Sequence, residues 1–250
     1  FITNIALFFG VSYASYVESL KEYSEVYLNQ NLIGYDGWET FEQLFTVLNG
    51  SLNYIVLRNF EGFFDQLVSD EHLDIDLLVN NYQEARLVMN GKELYPCTNR
   101  VVNQVLVAGE WVNFDLRSPG DGYMSHDWES DLLIDRIIYK DMYYRPNTEM
   151  YFYSLLYHSL VHKEKISDDY LNRFISMGLN SKVSCGMNGK VLIKEVLLGY
   201  MNVNKYVFAE PKDLSVFYNS GYLDLCVSKK RKFVLMWRSC KRWLKHIFQK

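Results

Sequence analysis

The sequence lacks the patterns that mark several well-known classes of functional site. Its four cysteines, among 250 residues, form no CxxC pair and lie in no cluster of zinc ligands. No glycine pattern of the Walker or Rossmann type is present, and no Ser-His-Asp or Cys-His arrangement is legible. These absences argue against a zinc site, a P-loop, a dinucleotide-binding fold and a nucleophilic hydrolase.

Long apolar runs are also missing, since no run reaches the roughly 20 residues that a membrane-spanning helix needs. The chain begins at Phe1 without a methionine or a basic stretch, so we expect no signal peptide there, and an upstream domain is left open. Without a disulfide framework we expect free thiols in a reducing compartment, and therefore a cytoplasmic protein. The cysteines are Cys97, Cys185, Cys226 and Cys240.

Hydrophobic residues, by contrast, are plentiful. They make up 49% of the chain and aromatic residues 16%, which indicates a folded globular protein rather than a disordered one. The length suits one large domain or two small ones, each with a real core.

Charge is distributed unevenly along the chain. The last 22 residues, 229–250, contain nine Lys or Arg and no Asp or Glu, whereas the other 228 residues contain 17 basic and 30 acidic residues. We predict that 229–250 form an amphipathic basic helix suited to an anionic membrane surface, at the inner face of the membrane. Packing of its apolar face on the acidic body is an equally good interpretation, and RNA binding is a lesser one.

The pattern of apolar residues predicts an α+β fold, in which a small mixed β-sheet core is followed by a helical domain. We place the domain boundaries at 1–37 (an N-terminal helical segment), 38–123 (the α/β core), 124–228 (the helical domain) and 229–250 (the basic helix). The predicted helices are 6–29, 38–48 with Gly50 as its cap, one ending near 90–91, 127–145, 148–165, one from the N-cap Ser167 to Gly178, and 190–202. The predicted strands are 52–60, 73–79 and a hairpin of 101–107 with 110–117.

Two aspartates stand inside the apolar stretch "LDIDLLV". Side chains alternate along a strand, so Asp74 and Asp76 point to the same face, where two anions repel each other. A third, Asp115, stands in the apolar stretch "VNFDL" of a later strand. A single strand aspartate is usually solvated near an edge, but three in this order suggest a shared site. Oxygen ligands of this kind suit Mg²⁺ or Mn²⁺.

This order of elements resembles the nucleotidyltransferase superfamily, the polymerase-beta-like fold. "LDIDLLV" matches its Asp-hydrophobic-Asp strand and "VNFDL" its third carboxylate, over roughly residues 38–120. The resemblance implies a transferase of nucleotidyl or phosphoryl groups in which Asp74, Asp76 and Asp115 hold divalent metal. Asp115 would also accept the proton of the acceptor hydroxyl.

The chain departs from the family after the first strand, where a Gly-Gly or Gly-Ser pair normally holds the nucleotide phosphates. Here the sequence is "LRNFEG". We expect Arg58, Asn59 and, from the later loop "RSPGDGY", Arg117 to bind the donor instead. Two alternative functions are therefore also open. One is a non-catalytic module that binds a nucleotide or sugar phosphate, and the other is a minimal toxin or antitoxin of the same superfamily.

The stretch "FYSLLYHSLVHK" contains His158 and His162 at i and i+4. That spacing can bind a metal, but without a Glu in the HExxH position the better interpretation is burial in a tyrosine-rich helical interface. The same stretch weakly resembles proteins of bacterial surface-polysaccharide assembly that carry nucleotidyltransferase domains. The acceptor is equally well a sugar, a small metabolite, a protein or RNA.

Overall fold

The computed structural model describes residues 33–60, 74–178, 187–223, 225–234 and 236–237. A short helical stretch covers 229–234. The other elements in these ranges are α1 (Phe41–Ser51), β1 (Tyr54–Val56), β2 (Asp74–Val79), α2 (Tyr82–Val88), β3 (Lys92–Glu93), β4 (Val102–Val107), β5 (Glu110–Arg117), α3 (His126–Ile134), β6 (Ile137–Tyr139), β7 (Tyr143–Arg145), α4 (Thr148–Val161), α5 (Asp168–Ser176), α6 (Met187–Asn204) and α7 (Ser220–Leu223).

The strands form a five-stranded mixed sheet in the order β1-β2-β5-β4-β3, and β6 and β7 form a separate hairpin. In the sheet β2 lies antiparallel to β1 and parallel to β5. The predicted hairpin is confirmed as β4 and β5, with Ala108 (φ 52) and Gly109 (φ 80) in its turn. Two positive φ angles are what a two-residue type I′ turn requires. The prediction of a mixed α+β fold with a small mixed sheet is therefore confirmed.

The first described helix buries the predicted face, because Leu44, Phe45 and Leu48 are all fully buried. Its start was predicted too early and its cap was wrong. The helix begins at Phe41, behind an N-cap at Thr40 whose hydroxyl accepts from the Gln43 amide, and Gly50 lies inside the last turn. The indole of Trp38 instead donates from the loop to the Met89 carbonyl (2.9 Å).

The predicted helix over 127–145 is wrong in its second half. The helix α3 ends at Ile134, and 137–145 form the β6-β7 hairpin, whose turn residues Lys140 and Asp141 have positive φ. The β-branched and aromatic residues of "IIY" and "YYR" favour a strand that packs against neighbours. Tyr143 of β7 packs on Phe45 of α1 with ring centroids 5.3 Å apart.

The later helices follow the sequence pattern. The helix α4 begins at Thr148 as predicted but ends at Val161, one turn before its predicted end, and α6 covers the predicted range. Ser167 is the N-cap of α5, where its hydroxyl accepts from the Tyr170 amide, and that prediction is confirmed. One hydrophobic cluster extends from Leu44 on α1 through Ile75 on β2 to Leu155 on α4. The four-part division of the chain stays a prediction.

The helix predicted over 6–29 lies outside the described residues, and so do Cys185, Cys240 and most of the basic segment 229–250. Cys97 and Cys226 are free and exposed. None of the helices within the described ranges combines the length and the apolar character that crossing a bilayer demands.

Candidate functional site

The three aspartates lie on one face of the central sheet. The strands β2 and β5 are adjacent and parallel, with Asp76 opposite Asp115 and Asp74 opposite Asn113. Paired positions in such strands direct their side chains to the same face, as do positions two residues apart. Asp74 is exposed at the start of its strand, whereas Asp76 is buried and the Asp115 side chain is 21% exposed.

The carboxylates also interact electrostatically. Burial, together with the negative charges of Asp76 and Asp74, raises the pKa of Asp115 to about 6, although the positive charges of Arg117 and Arg58 oppose this rise. Asp115 therefore carries a proton more readily than an ordinary aspartate. A cation near these carboxylates would favour its ionised form.

Arg58 lies directly against the aspartate pair. Its Nη2 is 2.5 Å from Asp76 Oδ1, and its Nη1 donates to the Tyr123 hydroxyl at 2.6 Å. Burial alone would lower the pKa of Arg58, but the neighbouring Asp76 carboxylate and Tyr123 raise it above its usual value. The side chains of both Arg58 and Asp76 are about nine-tenths buried, at 11% and 8% exposure, so the pair is poorly screened by water.

Tyr123 connects the sheet to the helical region. Its hydroxyl hydrogen-bonds to Nδ1 of His158 as well as to Arg58. Its ring lies between the Arg117 guanidinium, 3.7 Å from the ring centroid, and the His162 ring at 4.0 Å. Burial raises the pKa of Tyr123 to about 12, so the hydroxyl stays protonated at neutral pH.

The two histidines are buried in this network, as the helical-interface interpretation predicts. Burial, together with nearby cationic side chains such as Arg58 and Arg117, lowers the pKa of both well below the usual value. They are consequently neutral at pH 7. His158 bonds to Tyr123, whereas neither ring nitrogen of His162 has a hydrogen-bond partner.

The two other predicted donor-binding residues contact different partners. Arg117 is 4% exposed and approaches Asp115 (3.5 Å) and Asp121 (3.6 Å). Asn59 has a φ of 59°, and its side-chain oxygen accepts from Arg173 of α5 at 3.0 Å.

Glu129 shapes the loop that leads from β5 to Tyr123. It is fully buried on α3, and its two carboxylate oxygens accept from the backbone amides of Gly120 and Met124, both at 2.9 Å. Burial and the charge of Asp121 raise the pKa of Glu129 to about 8. The carboxyl group therefore fixes the conformation of this loop through its two hydrogen bonds to the backbone.

The three aspartates offer ligand atoms that suit Mg²⁺ or Mn²⁺, because all of these atoms are carboxylate oxygens on one face of the sheet. Among the residues that the structure describes, no three His, Cys, Asp or Glu side chains are arranged closely enough to hold a metal ion. Asp76 instead directs an oxygen to Arg58. Arg58 would have to give up this contact for a metal to use that oxygen.

Sequence reasoning did not find Tyr123 or Glu129 as members of this site. Tyr123 ends the loop "RSPGDGY", in which the sequence predicts only Arg117 as a site residue, and Glu129 stands in a helix of mixed polarity. The available signal was an aromatic residue directly after the loop that follows the third aspartate. Comparison of the chain with protein-family models, with curated proteins and with solved structures found no match.

Proposed function

We propose that this chain is a metal-dependent transferase of nucleotidyl or phosphoryl groups, on a core like that of the nucleotidyltransferase superfamily. The observation that supports it best is the register of Asp76 against Asp115 on adjacent parallel strands, with Asp74 on the same face. Carboxylates crowded in this way cost the fold free energy unless they bind a cation.

Each site residue has a proposed role. Asp74, Asp76 and Asp115 hold Mg²⁺ or Mn²⁺, which neutralises charge on the phosphates of the donor. The acceptor hydroxyl oxygen forms the new bond to phosphorus as the bond to the leaving phosphate or pyrophosphate breaks. Asp115, as a carboxylate, takes the hydroxyl proton. Arg58 binds a donor phosphate when it leaves Asp76.

For the acceptor we propose only the pathway to which it belongs. The weak resemblance of the α4 sequence to surface-polysaccharide assembly proteins favours a role in that pathway. The second candidate is a non-catalytic module that binds a nucleotide or sugar phosphate. It is favoured by the Arg58–Asp76 ion pair, in which a guanidinium stands where a cation would bind.

Thermal unfolding distinguishes the two candidates. With Mn²⁺ and a panel of nucleoside triphosphates and nucleotide sugars, we expect one donor to raise Tm only when Mn²⁺ is also present. A ligand at about 100 times its Kd adds about 2.7 kcal/mol of stability. Equal stabilisation in EDTA would favour the binding module, and no stabilisation by any donor would contradict both candidates.

Membrane association through 229–250 belongs to the same proposal. In the described part of this segment Phe233, Met236 and Trp237 are 56–62% exposed, which supports an apolar face available for lipid. Arg231, in contrast, is buried and donates to the Pro211 carbonyl at 2.6 Å. The first turn is thus anchored on the body of the protein.

Co-sedimentation with liposomes tests the membrane contact. The full chain should sediment with vesicles that contain anionic lipid and not with neutral ones, and less at high salt. Replacing Lys241, Arg242 and Lys245 with Gln should release it, since each basic residue contributes about 1 kcal/mol. Equal sedimentation of this variant and the wild-type chain would refute the membrane interpretation.

A further inference from the structure

A cleft of about 520 Å³ is lined by residues of the loop before β4 and of the loop after β5. Its lining includes Leu116, which follows Asp115 on β5, and successive side chains of a strand point to opposite faces of the sheet. The cleft therefore lies on the other side of the sheet from the three aspartates. Its volume is typical of a small-molecule site.

Both carboxylates in the lining of the cleft already have a cationic partner. The Glu93 Oε1 is 3.6 Å from Arg86 Nε and also accepts from the Tyr82 hydroxyl at 3.2 Å. The Asp121 Oδ2 is 3.6 Å from Arg117 Nη1, and it is buried. These two anions are thus engaged within the protein, and they offset little of any further positive charge in the cleft.

The two cations of the lining are Arg100 and Lys212, and neither forms an ion pair with any described residue. The Arg100 guanidinium stacks on Tyr95, with Cζ 3.4 Å from the ring centroid. Stacking occupies the face of the guanidinium and leaves the N–H groups in its plane for other partners. The Nε is buried, whereas the two Nη atoms are accessible and donate to none of the described groups.

Hydrogen bonds hold these two cations at the same cleft. The Asn99 side chain donates to the Lys212 carbonyl at 3.4 Å, and the Lys212 amide donates to the Asp121 carbonyl at 2.8 Å. The Thr98 hydroxyl accepts from the Arg100 amide at 3.2 Å. The loop that carries Arg100 is therefore joined to the segment that carries Lys212. Two like charges fixed at one cleft repel each other, and an anion bound by both removes that cost.

The charge and the size of the cleft indicate what kind of anion fits. A phosphate monoester carries about −1.5 to −2 charges at pH 7 and three acceptor oxygens, which matches two cations, whereas one carboxylate would leave one cation without a partner. A guanidinium binds phosphate oxygens through two N–H groups, and an ammonium adds a point charge. Inorganic phosphate alone would fill only a small part of the cleft.

We propose that this cleft binds a small phosphorylated molecule through Arg100 and Lys212, which hold its phosphoryl group. The proposal does not rest on the transferase function, because none of the three aspartates lines the cleft. The binding needs no divalent metal, since both charges that it uses are side chains of the protein.

The chain carries its own probe for this site. Cys97 is a free, exposed thiol in the cleft lining, and Cys226 is a free, exposed thiol that does not line it. In the full chain, the rate of iodoacetamide alkylation at each cysteine is measured by mass spectrometry of the peptides. The probes are hexose 6-phosphates and nucleoside monophosphates, each compared with its unphosphorylated parent. EDTA and constant ionic strength exclude metal-dependent binding at the aspartates and general salt effects.

We expect at least one phosphorylated probe to slow alkylation of Cys97 in a saturable manner and to leave Cys226 unchanged. At about five times its Kd the probe should slow the reaction about sixfold. Its unphosphorylated parent should give no protection at the same concentration. Failure of every phosphorylated probe, equal protection by the parent, or equal slowing at both thiols would each overturn the proposal.

Charge-removing variants locate the binding within the cleft. Arg100→Met and Lys212→Met should each weaken the protecting probe at least about tenfold, because each removes a charged hydrogen-bond donor to the phosphoryl group. Lys212 is exposed, so its replacement leaves the core intact. Lys165→Met, which removes an exposed charge outside the lining, should preserve the Kd. An unchanged Kd in Lys212→Met, or an equal loss in Lys165→Met, would overturn the assignment.

Discussion

Replacing Arg58 with methionine is expected to lower the free energy of unfolding by about 3–5 kcal/mol at pH 7, because it leaves the Asp76 carboxylate buried without its partner. The Tyr123 hydroxyl loses a bond to the same guanidinium. Urea unfolding in EDTA, followed by far-UV circular dichroism, measures the change. Methionine keeps the length and the apolar stem of the side chain, so lost packing contributes little.

A double-mutant cycle assigns this cost to the ion pair. Combining Arg58→Met with Asp76→Asn should recover part of the loss, since no buried charge then remains unpaired. The free energy of unfolding of Arg58→Lys should lie between those of the wild type and Arg58→Met, because an ammonium group cannot donate to both Asp76 and Tyr123 as the guanidinium does. Exposed Lys165→Met, the control, should stay within about 0.5 kcal/mol. A change that small for Arg58→Met would show that the pair does not form.

Replacing Asp115 with asparagine is expected to raise the free energy of unfolding at pH 8, whereas replacing Arg58 lowers it. The pKa of Asp115 is raised from 3.8 to about 6, so ionising it in the folded protein costs up to about 3 kcal/mol. A raised pKa means that wild-type stability is lost as the pH rises through about 6. In EDTA the variant should therefore match the wild type near pH 4 and exceed it at pH 8.

The same variant should lose Mn²⁺-dependent binding of the donor, because an amide keeps the shape of the carboxylate and removes most of its attraction for a cation. Asp115 is a cleaner test than Asp76, whose replacement also leaves Arg58 without an anion. Asp141→Asn, at an exposed position with a φ of 55° that asparagine tolerates, is the matched control. Lower stability at pH 8 with binding intact would indicate a purely structural role.

Local sequence was sufficient wherever a short-range rule decides the structure. The short run of apolar residues in "LDIDLLV" predicts the strand that carries Asp74 and Asp76, and Ala108-Gly109 between two apolar strands predicts the hairpin. The N-cap at Ser167 follows from its own hydroxyl and backbone. These features depend on a few neighbouring residues, so tertiary contacts had little to change.

Tertiary structure decided which strands pair and which distant side chains come into contact. Nothing in the local pattern states that β5 pairs with β2 in parallel, or that the register sets Asp76 against Asp115, because strand pairing depends on how the whole sheet buries its faces. The β6-β7 hairpin, predicted as helix, is stabilised by packing on β1 and α1. The links from Arg58 to Asp76 and Tyr123 span 18 and 65 residues of sequence, so only the folded chain brings these side chains together.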